Sequence, residues 1–269
     1  MRIVTPVLLL AAALPAWAAS SAKIDADHVS VALLGDADAL VPGKTAQLGL
    51  RLRHDAHWHT YWINPGDSGL PTKLAWHLPD GFKAGEIAWP TPQRFTVGEL
   101  YNFGYDGDVL LPVSVDVPAT ASIGSTVAVS VDAKWLVCQQ QCIPGKATLT
   151  LQLPVKAAAA VDVAAATAFG RAHATQPRTE TSAQARVQGD RIVVTLPVVA
   201  TTTGLDAFAQ TPNVVSNAPP QIAASGAGAV LTFAKSDYAT SLPANFNLLI
   251  IRPGAPATQA HVAIANSQP

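Results

Sequence analysis

Between Ile24 and about Val155, apolar and polar residues alternate in short runs separated by Gly, Pro and Asp. Thr45 to Leu52, Val109 to Val117 and Thr126 to Ala133 each have a period of two, the signature of strands with one buried face. Turn residues recur between them, so the region predicts an antiparallel β-sandwich. The prolines and glycines of Asn64 to Pro71 predict a long structured loop rather than a regular element. From Ala157 to about Ala174 the pattern changes to an Ala-rich run stopped by Pro177, which predicts a helix placed as a linker. Beyond it, Ala185–Gln188 and Arg191–Leu196 flank Gly189-Asp190 as a hairpin, and Ala229–Phe233 and Phe246–Ile251 read as further strands.

The reading is an all-β chain. An antiparallel β-sandwich at 22–155 is followed by a helical linker at 156–177, a second, smaller β-sandwich-like domain at 178–262 and a tail at 263–269.

The N-terminus changes the picture by giving a compartment. Arg2, the apolar stretch Val4–Ala13 and the small residues of Ala16-Trp17-Ala18 read as a secretory signal peptide over 1–18. The stretch is too short for a membrane span of about 20 residues, and no later run qualifies. The expectation is an exported, periplasmic protein with no membrane span of its own, in a compartment where a cysteine pair rests oxidised. Removing Arg2 takes the formal charge from −1 to −2, so no basic excess exists to bind nucleic acid or anionic membranes. With 13% charged and 49% apolar residues, the composition fits a packed protein and excludes a disordered one.

The two cysteines carry the chemistry. Cys138 and Cys142 stand in Trp135-Leu136-Val137-Cys138-Gln139-Gln140-Gln141-Cys142-Ile143-Pro144-Gly145. An apolar run enters, three glutamines make a polar tip, and Pro144-Gly145 marks a turn before the strand-like Ala147–Leu151. Closing so short a loop stabilises a chain by only about 2 kcal/mol, less than a long-range bridge gives. A redox-active pair explains it better than reinforcement; a structural disulfide and a metal site of two thiolates with a nearby His are the alternatives. Exchange requires a reachable, partly ionised sulfur. Lys134 and Lys146 each lie four residues from the nearer cysteine, which does not assign the attacking one.

Two other clusters compete for attention. In His54-Asp55-Ala56-His57-Trp58-His59-Thr60-Tyr61-Trp62, His57 and His59 would share one face of a strand and His54 the other, a weak copper or zinc pair. The plainer reading is an aromatic strand with hydrogen-bonded histidines. The segment Phe95–Asp108 interleaves aromatics with Gly, which reads as a mobile apolar loop able to shield a disulfide. Ser68, in Gly-Asp-Ser-Gly, is the one hydrolase cue, and the pattern that should surround it is missing. There is no phosphate-binding Gly loop and no metalloprotease helix motif.

His57-Trp58-His59-Thr60-Tyr61-Trp62-Ile63-Asn64-Pro65-Gly66-Asp67-Ser68-Gly69-Leu70-Pro71, Trp89-Pro90 followed by Phe95, Phe103-Gly104-Tyr105, Leu111-Pro112-Val113 and the closing Cys138/Cys142 motif form one ensemble. It resembles the N-terminal periplasmic domain of DsbD-type thiol:disulfide interchange proteins, in particular the longer ScsB-like versions tied to suppression of copper sensitivity. The likeness covers roughly residues 25–155 and thins over the second domain. It implies an immunoglobulin-like sandwich whose Cys138 and Cys142 take electrons from a membrane thiol donor of DsbD or CcdA type. These pass to periplasmic thioredoxin-like proteins, such as those of cytochrome c biogenesis, without a cofactor. It also implies an aromatic cap over the disulfide, for which Phe103 matches best, with Tyr101 and Tyr105 beside it. Two departures stand out. The cysteine spacing is narrower than in the best-known DsbD domain, and neither a membrane electron-transfer domain nor a thioredoxin-like domain is present. The expectation is work with separate partners, or another role. The rival class is a non-catalytic copper-handling or partner-binding sandwich with a structural disulfide.

Overall fold

The computed structural model describes residues 19–199 and 201–265; the signal peptide expected over 1–18 lies outside them. In the first half, β1 (Ile24–Ala26), β2 (Val29–Gly35), β3 (Thr45–His54), β4 (Thr60–Gly66), β5 (Lys73–His77), β6 (Lys83–Ile87), β7 (Gln93–Val97), β8 (Leu100–Tyr105), β9 (Asp108–Asp116), β10 (Thr126–Cys138) and β11 (Cys142–Pro154) form three sheets. Their orders are β1-β2-β3-β9-β6, β11-β10-β5 and β4-β8-β7. The sandwich follows from the period-two pattern. Val31, Leu33, Leu48, Leu50, Leu52 and Leu111 of the first sheet meet Val127, Val129, Val131, Leu149, Leu151 and Leu153 of the second in one core. The alternate residues of β10, Asp132 and Lys134 among them, face outward.

The segment Phe95–Asp108 is not a mobile loop. It forms the β7–β8 hairpin, turning between Val97 and Leu100, and then the start of β9. Gly104 is what permits this. A Cβ there would lie 1.9 Å from the Thr60 carbonyl oxygen, so only glycine lets β8 lie this close to β4. The expected turn at Pro144-Gly145 is also corrected. Both residues lie within β11, an edge strand that tolerates proline, and the turn is made by the three glutamines. Gly145 pairs with Trp135, and the indole lies where a Cβ would sit, 2.3 Å away. The Asn64–Pro71 loop is structured by side chains. Asn64 accepts from the Gly66 N–H, buried Asn102 accepts from the N–H and hydroxyl of Ser68, and Asp67 accepts from the Tyr101 N–H.

The helix α1 (Val163–Thr175) starts six residues later than the Ala-rich run begins. Asp162 prefers to cap: its carboxylate accepts from the N–H groups of Ala165 and Ala19, and the preceding residues are tied to Asp36 and Asp38. Ala165, Ala168, Phe169 and Ala172, at helical spacing, pack on Leu34 and Leu110, the outer face of the first sheet. The linker is therefore a packed element of the first domain.

The second half contains β12 (Arg178–Gln188), β13 (Arg191–Leu196), β14 (Asp206–Ala209), β15 (Gln221–Ser225), β16 (Gly228–Ala234), β17 (Asn245–Arg252) and β18 (Ala255–Ala265). They form one sheet in the order β14-β17-β18-β12-β13-β16-β15, with β12 and β18 parallel. Ala207 of β14 and Leu231 of β16, far apart in that order, share a core, so the sheet folds over itself in the manner of a sandwich. The two halves are joined at β4, β7 and β8. Phe103 stacks on Phe208 at 4.6 Å, Arg94 lies over both rings and binds Asp206 at 2.6 Å, and Asn64 donates to the Ala209 carbonyl.

Candidate redox site at the tip of a hairpin

Every residue of β10 and β11 is paired, from Thr126–Pro154 to Cys138–Cys142 at the tip. The two cysteines face each other at the last rung, with Cα atoms 4.2 Å apart, and are joined as a disulfide. Such closeness belongs to an antiparallel pair that exchanges no backbone hydrogen bonds. Those of Cys138 go to the other side of the strand: its N–H donates to the His59 carbonyl at 2.9 Å, and its carbonyl accepts from the His59 N–H at 3.0 Å.

The two sulfurs have different surroundings. Cys138 is 2% exposed, whereas Cys142 stands in solvent beside the glutamine tip. The Tyr61 hydroxyl lies 3.5 Å from the Cys142 Sγ. Burial raises the Tyr61 phenol above its ordinary value, with the Ser68 hydroxyl opposing the shift, so the group keeps its proton and can donate to sulfur. Gly69 makes room for it: a Cβ at Gly69 would lie 2.2 Å from the Tyr61 ring. Ser68, the hydrolase cue of the sequence, thus serves to position a loop.

His59 is buried beneath Phe95, with ring centroids 4.4 Å apart, and meets the Tyr61 ring edge-on. Its Nε2 has no hydrogen-bond partner. Desolvation, helped by nearby His54, lowers its pKa from 6.5 to about 4. The neutral ring at physiological pH contributes no charge to the sulfurs. The unfolded chain takes up this proton near pH 6.5 and the folded protein only near pH 4. Unfolding therefore binds a proton between those values, and stability falls as pH drops through that window and levels off below it. We expect a loss on the order of 2 kcal/mol, read from denaturant midpoints between pH 7 and 4. His59→Phe should flatten the slope; an unchanged slope would remove His59 as its source.

The sequence-predicted cap residues lie elsewhere. Thr60 pairs with Tyr105 and Arg94 with Phe103, while Tyr61 pairs with Gly104 and Phe95 with Asn102. Directly paired residues share a face of the sheet, so Tyr101, Phe103 and Tyr105 occupy the face opposite Tyr61 and Phe95. Phe103 is buried against Trp62 and Phe208, and the Tyr105 hydroxyl donates to the Pro90 carbonyl. The aromatics on the disulfide's face are Tyr61, His59 and Phe95. Their sequence signal was the spacing of His59 and Tyr61, with Phe95 at the head of the aromatic segment expected to shield the disulfide.

The histidines do not form the expected pair. His57 sits exposed in a left-handed turn (φ 71°) before β4 begins, so it shares no strand face with buried His59. His54 bridges the Gly107 carbonyl and the Thr60 hydroxyl, and burial lowers its pKa. Among the described residues, no three His, Cys, Asp or Glu side chains gather as a metal site would require.

Comparison with known proteins gives a family match over the first half and a likeness of fold. Residues 30–154 match the family model for the N-terminal domain of the thiol:disulfide interchange protein DsbD. The N-terminal periplasmic domain of ScsB from Proteus mirabilis has a similar structure, with a TM-score of 0.68 at 16% identity, covering 92% of this chain and 99% of that one. The periplasmic chaperone SfaE aligns at a TM-score of only 0.23 and 10% identity, over 87% of this chain and 100% of its own, which carries no weight. No curated protein shows significant similarity.

Proposed function

Because residues 30–154 match the family model for the DsbD N-terminal domain, we propose that this protein is a periplasmic protein-disulfide reductase module working through Cys138 and Cys142. The supporting observation is the asymmetry of the pair, one cysteine exposed with its sulfur beside a phenol and the other buried. A fully paired hairpin needs no staple at its tip, and the bridge would add only about 2 kcal/mol.

In the reduced protein the exposed Cys142 thiolate, with the Tyr61 O–H donating to it, attacks one sulfur of a client disulfide. The Cys142–client S–S bond forms, the client's own S–S bond breaks, and one client thiolate leaves. Cys138 then loses its proton and attacks the Cys142 Sγ, which restores the internal disulfide and releases the second client thiolate. Two electrons have passed to the client, and its two thiolates take up the protons lost by the cysteines. A membrane dithiol donor of DsbD or CcdA type re-reduces the pair by the same steps in reverse, and the clients are periplasmic thioredoxin-like proteins. Delivery toward cytochrome c biogenesis or copper tolerance belongs to this same proposal. Among the described residues no helix is long and apolar enough to cross a membrane.

Equilibrating the purified protein with glutathione or dithiothreitol buffers tests the reading. We expect a reduction potential above about −300 mV, the range of exchange-active pairs; a markedly lower value would make the bridge structural.

A further inference from the structure

A row of three lysines crosses the sheet that carries the disulfide. Lys134 of the central strand β10 pairs with Lys146 of β11 on one side and with Lys73 of β5 on the other. All three are exposed, and among the described residues none makes an ion pair. Asp132, next along the same face, is already taken by His77 at 2.9 Å and Thr148 at 2.6 Å. Like charges placed directly opposite one another cost stability. Lysines on the edge strands β5 and β11 guard against edge-to-edge pairing, but Lys134 is central and has no such purpose.

The row leads to the disulfide along an apolar path. Toward the tip the next pair on that face of the hairpin is Leu136–Pro144, and the one after it is Cys138–Cys142, of which Cys142 is the exposed member. Leu136 and Pro144, with Leu70, 63% exposed, and the three lysines themselves, line a groove of about 470 Å³, and the cysteine pair lies one step beyond it on the hairpin. From lysine row to disulfide is four extended residues, about 13 Å. The chain as a whole is slightly acidic, so this is a local positive patch on a weakly negative molecule.

We propose that Lys73, Lys134 and Lys146, with the groove bounded by Leu70, Leu136 and Pro144, form the docking surface for a client protein carrying carboxylates about 13 Å from its own disulfide. The carboxylates set the client's orientation on the lysine row, an apolar ridge fills the groove, and the client's sulfur is brought over Cys142. The inference rests on the exchange reading above and adds the chemistry of the client.

The test uses the reduced mature protein and three disulfide probes. The first is bis(2-hydroxyethyl) disulfide, small and neutral. The other two are peptides with an internal disulfide, a four-residue spacer and either three glutamates or three lysines. We expect the glutamate peptide to be reduced at least tenfold faster than the lysine peptide at low ionic strength, with the difference shrinking as salt is added. The triple variant Lys73→Gln/Lys134→Gln/Lys146→Gln should lose that preference and react normally with the hydroxyethyl probe. Equal rates for the two peptides in the unaltered protein would overturn the docking surface, whether or not the variant folds. So would a preference that survives in the folded variant. Failure to reduce even the hydroxyethyl probe would instead count against exchange. Docking is then decided by binding of fluorescent versions of the two peptides to the oxidised protein, where only a preference for glutamate upholds it.

Discussion

Cys142→Ser abolishes disulfide reduction, whereas Cys138→Ser retains the first half of the reaction and stalls as a mixed disulfide. This outcome follows from burial alone: Cys142 is open to solvent and Cys138 is 2% exposed. With Cys138 removed, nothing resolves the bond between Cys142 and the client, and a covalent adduct should accumulate on non-reducing gels. With Cys142 removed, the remaining thiol is the buried one, bridged by its backbone to His59, and no adduct should form. Both variants lose the internal bridge and its modest stabilisation of about 2 kcal/mol, to which Cys138→Ser adds the cost of a buried hydroxyl. The shared loss of the bridge makes the adduct a readout of accessibility. Equal trapping by the two single-cysteine variants would show that the hairpin opens enough to expose both sulfurs, and the order of steps proposed for the reaction would fall.

The second large effect separates two phenylalanines. Phe103→Ala should cost about 3–5 kcal/mol, the usual penalty for emptying a fully buried aromatic site. It removes the ring that Phe208 stacks on and that Arg94 covers, so the junction between the two halves should weaken first. The folded fraction should react with a small thiol reagent at an unaltered rate, because Phe103 faces away from the disulfide. Phe95→Ala should do the opposite. It costs less, since Phe95 is only half-buried, and it frees His59 and Tyr61 so that the reduced pair reacts severalfold faster. Denaturant midpoints and the kinetics of thiol labelling, measured on both variants, decide the matter. Faster labelling in Phe103→Ala at unchanged stability would restore Phe103 as the cap.

The contrast shows where sequence pattern informs and where it stops. Val127, Val129 and Val131 alternate with Ala128, Ser130 and Asp132, so the buried face of β10 can be read directly, as can the hairpin at Gly189-Asp190. The cysteines are legible for a similar reason: three polar residues between two sulfurs leave few ways to close the chain. Tyr101, Phe103 and Tyr105 also alternate, and their period of two is that of the strand they form. Which face they occupy depends on the register of β8 against β4, and that register depends on Gly104 and on a distant strand. Phe208, which Phe103 needs, is a hundred residues further on and gives no local sign. His57 fails differently: a left-handed backbone between Ala56 and Trp58 breaks the strand that would have aligned it with His59. Asp162 did carry a readable signal, since an aspartate at the head of an Ala-rich run favours a cap over a helical interior.

The ladder beneath the disulfide governs time as well as position. Because β10 and β11 are paired to their last residue, and Cys138 is held on its far side by His59, reduction leaves the two thiols facing each other with little freedom to part. The second thiol then acts at a very high effective concentration, as tethered and oriented groups do. Its attack is a first-order step that ignores how much client or competing thiol is present. A client held by Cys142 is therefore released soon after capture, and the covalent complex is brief by construction, as turnover through many clients requires.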